Sequence, residues 1–426
     1  MAFKQAMAAF ALATTALMAV TAPLQAQDIH TVENPAALGF DPHALSLLDA
    51  RLDALAAEGA RPGYAAIIAR GEQIAFVSEA GEADLEAHTP FTVDTPVRIA
   101  SMTKPVTAFA IMMLVERGEI ALGDPVSNYI PAFADVRVAS SPMANEAGEI
   151  ETRAPDTVMT IEHLLTHTAG LGYIFEAESD LGQLYLENSM YEGDGDLAVR
   201  VDRLAELPLY ADPGDRWIYS YSLDVAGRVI EVVSGQPLNT FLDTEIFAPL
   251  GMDDTGFFFD DVDFSEAELA PLYIHDESGE MVPYEFGNPT WPSGGGGLVS
   301  TASDYIRFGM MLANGGTLGD VQLIAPETFA VFSRPHTTAD QLGEGWTGRA
   351  FALGMDIVLP PAEGQRPAGV PGDLSWGGFF DTDFFVSPQT RTAAVIMTQI
   401  QPSQYRPEPR TLREFRPRVY ASFAFD

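Results

Sequence analysis

The chain has 426 residues, with 23 basic and 60 acidic side chains, a formal charge of −37 and no cysteine. That charge excludes a phosphate-backbone binder, which needs clustered Lys and Arg. The missing cysteines exclude disulfides, thiolate metal sites, Fe–S clusters and a cysteine nucleophile. Hydrophobic residues make up 47% of the chain, enough for a large core.

Near the N-terminus, Lys4 precedes an apolar stretch from Ala8 to Ala22, and Leu24-Gln25-Ala26 ends on a small residue. This order reads as a secretory leader over 1–26, cut after Ala26. The alternative is a membrane anchor, for which the stretch is short. The expected mature protein is periplasmic or secreted and has no further membrane contact. Lys104 is then its only lysine, the other cations being arginines. Codon bias explains the general shortage of lysine but not this retention. A buried amine can lose its proton, and arginine cannot substitute for it in that role.

Asp41 to Glu58 carries apolar residues on one face of a 3.6-residue period, predicting a helix. Tyr64–Ala69 and Ile74–Val77, split by Arg70-Gly71-Glu72, predict a hairpin. Ser101 to Arg117 predicts a buried helix ended by Gly118. Ile161–Thr168 and Leu223–Ser234 predict helices, Ser293 to Gly297 a flexible loop, and Ala302–Ala313 another helix. Ala352–Val358, Asp383–Val386 and Thr392–Thr398 predict strands. Strand-rich material thus lies at both ends with helices between. The expected division is a discontinuous sheet domain over 27–125 and 290–426, and a mainly helical domain over 126–289. Tyr405 to Arg418, with five arginines, reads as a solvated terminal extension.

The chemistry concentrates at Ser101-Met102-Thr103-Lys104. Pro105 belongs in the first turn of a helix, so the helix must begin close to Ser101. Lys104 is three residues on and shares a face with Ser101. The apolar flank from Val106 to Met113 disfavours an ammonium relative to a neutral amine. A hydroxyl beside such an amine forms a nucleophile-and-base pair. The plainer reading is a helix cap followed by a surface lysine.

The text Arg98-Ile99-Ala100-Ser101-Met102-Thr103-Lys104-Pro105 resembles the serine β-lactamases and penicillin-binding proteins, above all their class C-related branch, the family VIII carboxylesterases. Two further motifs follow in order. One is Trp217-Ile218-Tyr219-Ser220-Tyr221-Ser222-Leu223-Asp224-Val225-Ala226-Gly227; the other is Trp376-Gly377-Gly378 followed by Phe379. Between them, the stretches from His163 to Leu171 and from Gly295 to Thr301 also match the family's text. The resemblance spans about residues 40–400.

It implies an α+β, β-lactamase-like fold: an antiparallel sheet flanked by helices, with an inserted all-helical domain. It implies Ser101 as acylated nucleophile, Lys104 as base and Tyr219 as second acid/base, with Tyr221 a rival. The backbone N–H groups of Ser101 and Phe379 would form the oxyanion hole, such donors being worth about 10²–10³ each in rate. Tyr221, Trp376, Gly377 and Gly378 would line the substrate pocket. The lactamase Lys-Thr-Gly motif is replaced by Trp-Gly-Gly, and position 221 is not asparagine. Both departures favour neutral, small or hydrophobic esters over anionic β-lactams.

Other candidates are weaker. His163 and His167 lack the Glu of a His-Glu-x-x-His zinc pair. A Gly-x-Ser-x-Gly elbow is absent, and the acidic runs at Asp194–Asp196 and Asp260–Asp263 do not match a calcium loop. The expectation is an exported serine carboxylesterase acting on a small-molecule ester without metal or cofactor. Its rivals are a β-lactamase, an acyltransferase or lactonase, and a catalytically silent envelope protein.

Overall fold

A computed structural model describes residues 30–424 except 192–193, 288–289, 363–368 and 407–409; the leader pattern lies outside these. The strand Gly63–Arg70 is buried along nearly its whole length. Alternation explains why it reads as an unbroken apolar run. Tyr64, Ala66 and Ile68 join one core with Leu45, Leu48, Leu52 and Leu55 of the helix Pro42–Ala57 and Phe415 and Val419 of the helix Thr411–Ala421. Ala65, Ile67 and Ala69 face the other way, into the main core shared with the helices Thr103–Glu116 and Ala302–Ala313.

Gly63–Arg70 pairs on one edge with Gln73–Asp84 and on the other with Thr392–Met397. Beyond Thr392–Met397 follow Asp383–Ser387, Leu374–Gly377, Asp356–Val358 and Arg349–Phe351. These pairings are antiparallel, while His30–Thr31 adds a short parallel edge. The middle of the sheet therefore joins an early strand to a late one. The intervening chain forms helices, among them Ile161–Leu165, Leu197–Ala205 and Ser222–Ser234. It also contributes short strand pairings; in one of these Tyr273–His275 runs parallel to Ile400–Gln401.

Several sequence expectations change in detail. Ala352–Val358 is not one strand: Arg349–Phe351 and Asp356–Val358 form a hairpin with Gly354 at φ 78° in its turn. The helix expected to reach Thr168 stops at Leu165, because His167 takes a left-handed φ of 55°. The arginine-rich tail is not solvated. It enters the helix Thr411–Ala421, which covers the sheet through Phe415 and Val419. Arg416 reaches in beside its strands, donating Nε to Asp383 Oδ2 at 2.7 Å and Nη1 to Ser375 Oγ at 2.6 Å.

Removing one partner of a buried, hydrogen-bonded ion pair leaves the other charge stranded. Arg416→Met is therefore expected to lower stability by about 3–5 kcal/mol in urea unfolding, with Arg416→Met/Asp383→Leu recovering most of the loss. A solvated tail would show neither effect. A pH effect arises at Asp304, in the first turn of Ala302–Ala313, where burial raises the carboxyl to about 7 against an opposing hydrogen bond from Thr255. The folded state then holds a proton that the unfolded chain releases near its ordinary value of 3.8. This contribution makes stability fall as pH rises from about 4 to about 7. Asp304→Asn should remove that part of the slope when melting is compared at the two ends of the window.

Candidate active site

Ala100 precedes Ser101 at φ 44°, in the left-handed region that costs an L-residue about 1–2 kcal/mol. A single 3-10 turn, Ala100–Met102, leads into Thr103–Glu116, so Ser101 stands just ahead of that helix. Thr103 to Leu114 are all buried, as befits a helix apolar on nearly every side. Lys104, on its first turn, is fully enclosed.

Three groups meet at the Ser101 hydroxyl. Tyr219 donates its hydroxyl to Ser101 Oγ at 2.6 Å, and Lys104 Nζ lies 3.4 Å from the same oxygen. Lys104 Nζ also donates to the Gly295 carbonyl at 2.6 Å and sits 4.6 Å from the centre of the Tyr219 ring and 5.5 Å from that of Tyr173. Such a shell of carbonyl and ring faces gives a buried amine partners in place of lost water.

The supporting layer is the glycine run, which is a packed turn and not a flexible loop. Asp224, in the first turn of Ser222–Ser234, accepts from Ser293 Oγ at 2.6 Å and from Gly295 N at 3.0 Å. Burial pushes this carboxyl up, and the Lys104 charge pulls it back. Thr107 Oγ1 donates to the Gly294 carbonyl at 2.7 Å, and Leu298 N donates to Thr103 Oγ1 at 3.1 Å. Three neighbouring side chains of the nucleophile helix, Thr103, Lys104 and Thr107, thus hold the turn from one side while Asp224 holds it from the other. Glycine is required there: a Cβ at Gly295 would stand 2.4 Å from Asp224 Oδ2, and one at Gly294 would stand 2.6 Å from the Leu223 carbonyl.

Tyr221 does not bring its hydroxyl to Ser101. It is fully buried, with its hydroxyl 2.9 Å from Ser189 Oγ and its ring 4.4 Å from that of Tyr173. Of the two tyrosines, Tyr219 is the one whose hydroxyl reaches Ser101. Trp376, on Leu374–Gly377, has its ring 5.8 Å from Tyr219 and 5.2 Å from Phe351. Gly377 pairs with Asp383 on the next strand. A Cβ on Gly378 would meet Thr382 Oγ1 at 2.0 Å and the Ile99 carbonyl at 2.6 Å, so glycine lets the Trp-Gly-Gly strand close on the turn before Ser101. Phe379 follows, partly exposed, its ring 6.1 Å from that of Phe175. A cavity of about 310 Å³ opens beside Tyr219, lined by Tyr173, Phe175, Glu176, Arg216, Trp217, Ile218 and Tyr219.

The two histidines do different jobs. His163 Nδ1 accepts from Thr160 N at the start of its helix. His167 is buried against the Tyr219 ring at 4.8 Å, with Nδ1 3.2 Å from Ser220 Oγ. Burial and then the Lys104 charge hold it well below the usual histidine range, so it is neutral. Among the described residues no cluster of three or more His, Asp or Glu could hold a metal. Asp196 caps Leu197–Ala205, and Asp261 accepts from Asn239, so one acid of each run has a structural partner. Sequence reasoning quoted Asp224 and Gly295 within matching text but gave neither a task. The signal was an acid in the first turn of a helix and a glycine run with no other purpose.

A serine hydroxyl flanked by a buried amine and a phenol, beside an antiparallel sheet, is the arrangement that the β-lactamase-like resemblance implies. The chain belongs to the β-lactamase family, whose model matches residues 48–415, and it sorts with that family's serine carboxylesterase branch. Esterase EstB of Burkholderia gladioli is 34% identical over 395 residues, 85% of this chain and 94% of that protein. The structure of EstCE1, described as a hydrolase with promiscuous acyltransferase activity, matches at TM-score 0.71 and 26% identity, covering 89% of this chain and 99% of that one. Simvastatin synthase of Aspergillus terreus matches at TM-score 0.76 and 25% identity, covering 89% and 98%.

Because Gly295 donates its N–H to Asp224 and accepts at its carbonyl from Lys104, a methyl group there should disturb the amine without touching Ser101. Gly295→Ala is expected to lower ester turnover at least ten-fold, about the loss of one good hydrogen bond, and to depress the melting temperature. Unchanged kinetics would show the turn to be slack.

Proposed function

We propose that the protein hydrolyses neutral carboxylic esters through an acyl-Ser101 intermediate, with Lys104 and Tyr219 moving the protons. The observation that carries this is the convergence of the Tyr219 hydroxyl and the Lys104 amine on Ser101 Oγ. Ser101 gives its proton to the Lys104–Tyr219 pair as Oγ bonds to the ester carbonyl carbon. The resulting oxyanion is held by the N–H groups of Ser101 and Phe379. On collapse the C–O bond to the alcohol breaks, and Tyr219 returns the proton to the departing alkoxide. Water then gives a proton to the same pair, attacks the acyl carbon and releases the acid, restoring Ser101.

The aromatic walls formed by Phe175, Trp217, Trp376 and Phe379, without a Lys-Thr-Gly cation, favour short neutral or hydrophobic esters over anionic β-lactams. A second acceptor is an alcohol in place of water; the acyltransferase wording of the EstCE1 and simvastatin synthase relatives favours including it. The leader pattern over 1–26 supports export to the periplasm or medium.

Ser101→Ala should abolish p-nitrophenyl ester hydrolysis and the acyl adduct seen by mass spectrometry. Lys104→Arg keeps the charge but not a titratable amine, so it should lose as much activity as Lys104→Ala, at least about 10²-fold. Near-wild-type turnover in either variant refutes the scheme. An acyl-chain-length ester series run beside nitrocefin, with and without added alcohol, separates esterase, lactamase and transferase.

A further inference from the structure

The turn that carries Phe379 is clamped from behind by the C-terminal arm. Gly378 donates its N–H to the Thr382 carbonyl at 2.8 Å, closing the turn between Leu374–Gly377 and Asp383–Ser387. The Gly378 carbonyl accepts from Arg410 Nη2 at 2.6 Å. Arg410 also ion-pairs with Asp381 at 2.6 Å. Asp381 is almost fully buried in the same turn, at φ 67°, and is held as well by Arg61 at 2.7 Å and by the N–H of Thr411 at 3.1 Å. Two residues up the strand, the Trp376 carbonyl lies 3.5 Å from Arg416 Nη2.

One covalent fact gives this clamp its meaning. The Gly378 carbonyl and the Phe379 N–H belong to one peptide unit. A cation bonded to the carbonyl oxygen draws electron density from the amide nitrogen, making the N–H a stronger donor, and fixes the plane in which it points.

We propose that Arg410 is a positioning residue for the oxyanion hole, polarising and orienting the Gly378–Phe379 peptide from the side opposite the substrate. The inference rests on the oxyanion role of Phe379 given above. Arg410 touches neither substrate nor Ser101; it acts through a backbone group whose own side chain is irrelevant to the bond. It also gives the C-terminal helix a task in turnover, which a strap holding the sheet would not have.

The test uses the full-length protein acylated with an arylacryloyl ester, whose acyl-enzyme carbonyl stretch reports hydrogen bonding at the oxyanion hole. In Arg410→Gln the stretch should move to higher wavenumber. The kcat should fall about ten-fold, less than the 10²–10³ of losing a donor outright, with KM within about two-fold of wild type. Arg410→Lys, which keeps a cation, should recover part of both effects, and it carries the measurement if the Gln variant folds poorly. Arg413→Gln, exposed on the same helix, should change neither. A purely structural strap would lower the melting temperature without moving the band, and that result overturns the proposal. A wild-type protein that forms no Ser101 adduct sinks the esterase reading and this inference with it. An adduct whose carbonyl band ignores Arg410 sinks this inference alone.

Discussion

Everything at the site depends on keeping one amine dry. Lys104 is fully enclosed, and a polar group taken out of water must find its partners in the surrounding protein. Here they are a carbonyl, two aromatic faces and a carboxylate one peptide further out. Each of these partners imposes a condition on another part of the chain. The carbonyl demands a turn without side chains, Asp224 demands a helix that starts against that turn, and the ring faces demand the aromatic cluster around Tyr219. The glycine run, the helix Ser222–Ser234 and the wall of aromatics are consequences of enclosing Lys104.

The chemical core was legible in the sequence because it is local. Ser101 and Lys104 are three residues apart on one helix, and Pro105 fixes where that helix begins. The uniqueness of the lysine pointed to the same place. The strands of the central sheet were legible for a different reason: doubly covered strands are continuous apolar runs, and both Gly63–Arg70 and Thr392–Met397 are of that kind.

What was not legible depends on long-range backbone contacts. Nothing in Ser293 to Gly297 distinguishes a mobile linker from a turn pinned at five points, because the pins lie near residues 103–107 and 224. The choice between Tyr219 and Tyr221 turns on the chain leaving its extended course at Tyr221, which caps Ser222–Ser234 at φ −68°, ψ 9° and is buried against Tyr173 and Ser189. The C-terminal arginines read as solvated because charge and proline usually mean solvent. Their carboxylates, Asp381 and Asp383, stand in a separate apolar stretch where single acids gave no hint of a partner.

The placement of those acids joins the stability of the fold to the chemistry of the site. Leu374–Gly377 and the Gly378 that follows it have two duties: the Trp376 ring packs beside Tyr219, while the Ser375 hydroxyl and the Trp376 and Gly378 carbonyls meet arginines of the C-terminal arm. A strand near a substrate cleft has unsatisfied backbone groups on the open side. Any wobble in its plane would be felt by a donor that has to hold a distance of about 2.7–3.1 Å to a developing charge. Arginine suits this duty because its planar fork can hold a carbonyl and a carboxylate at once. In a chain so acidic, where cations are scarce, two of them gather behind one strand of the site. Of the chain's two lysines, Lys104 lies in front of it, against the Ser101 hydroxyl.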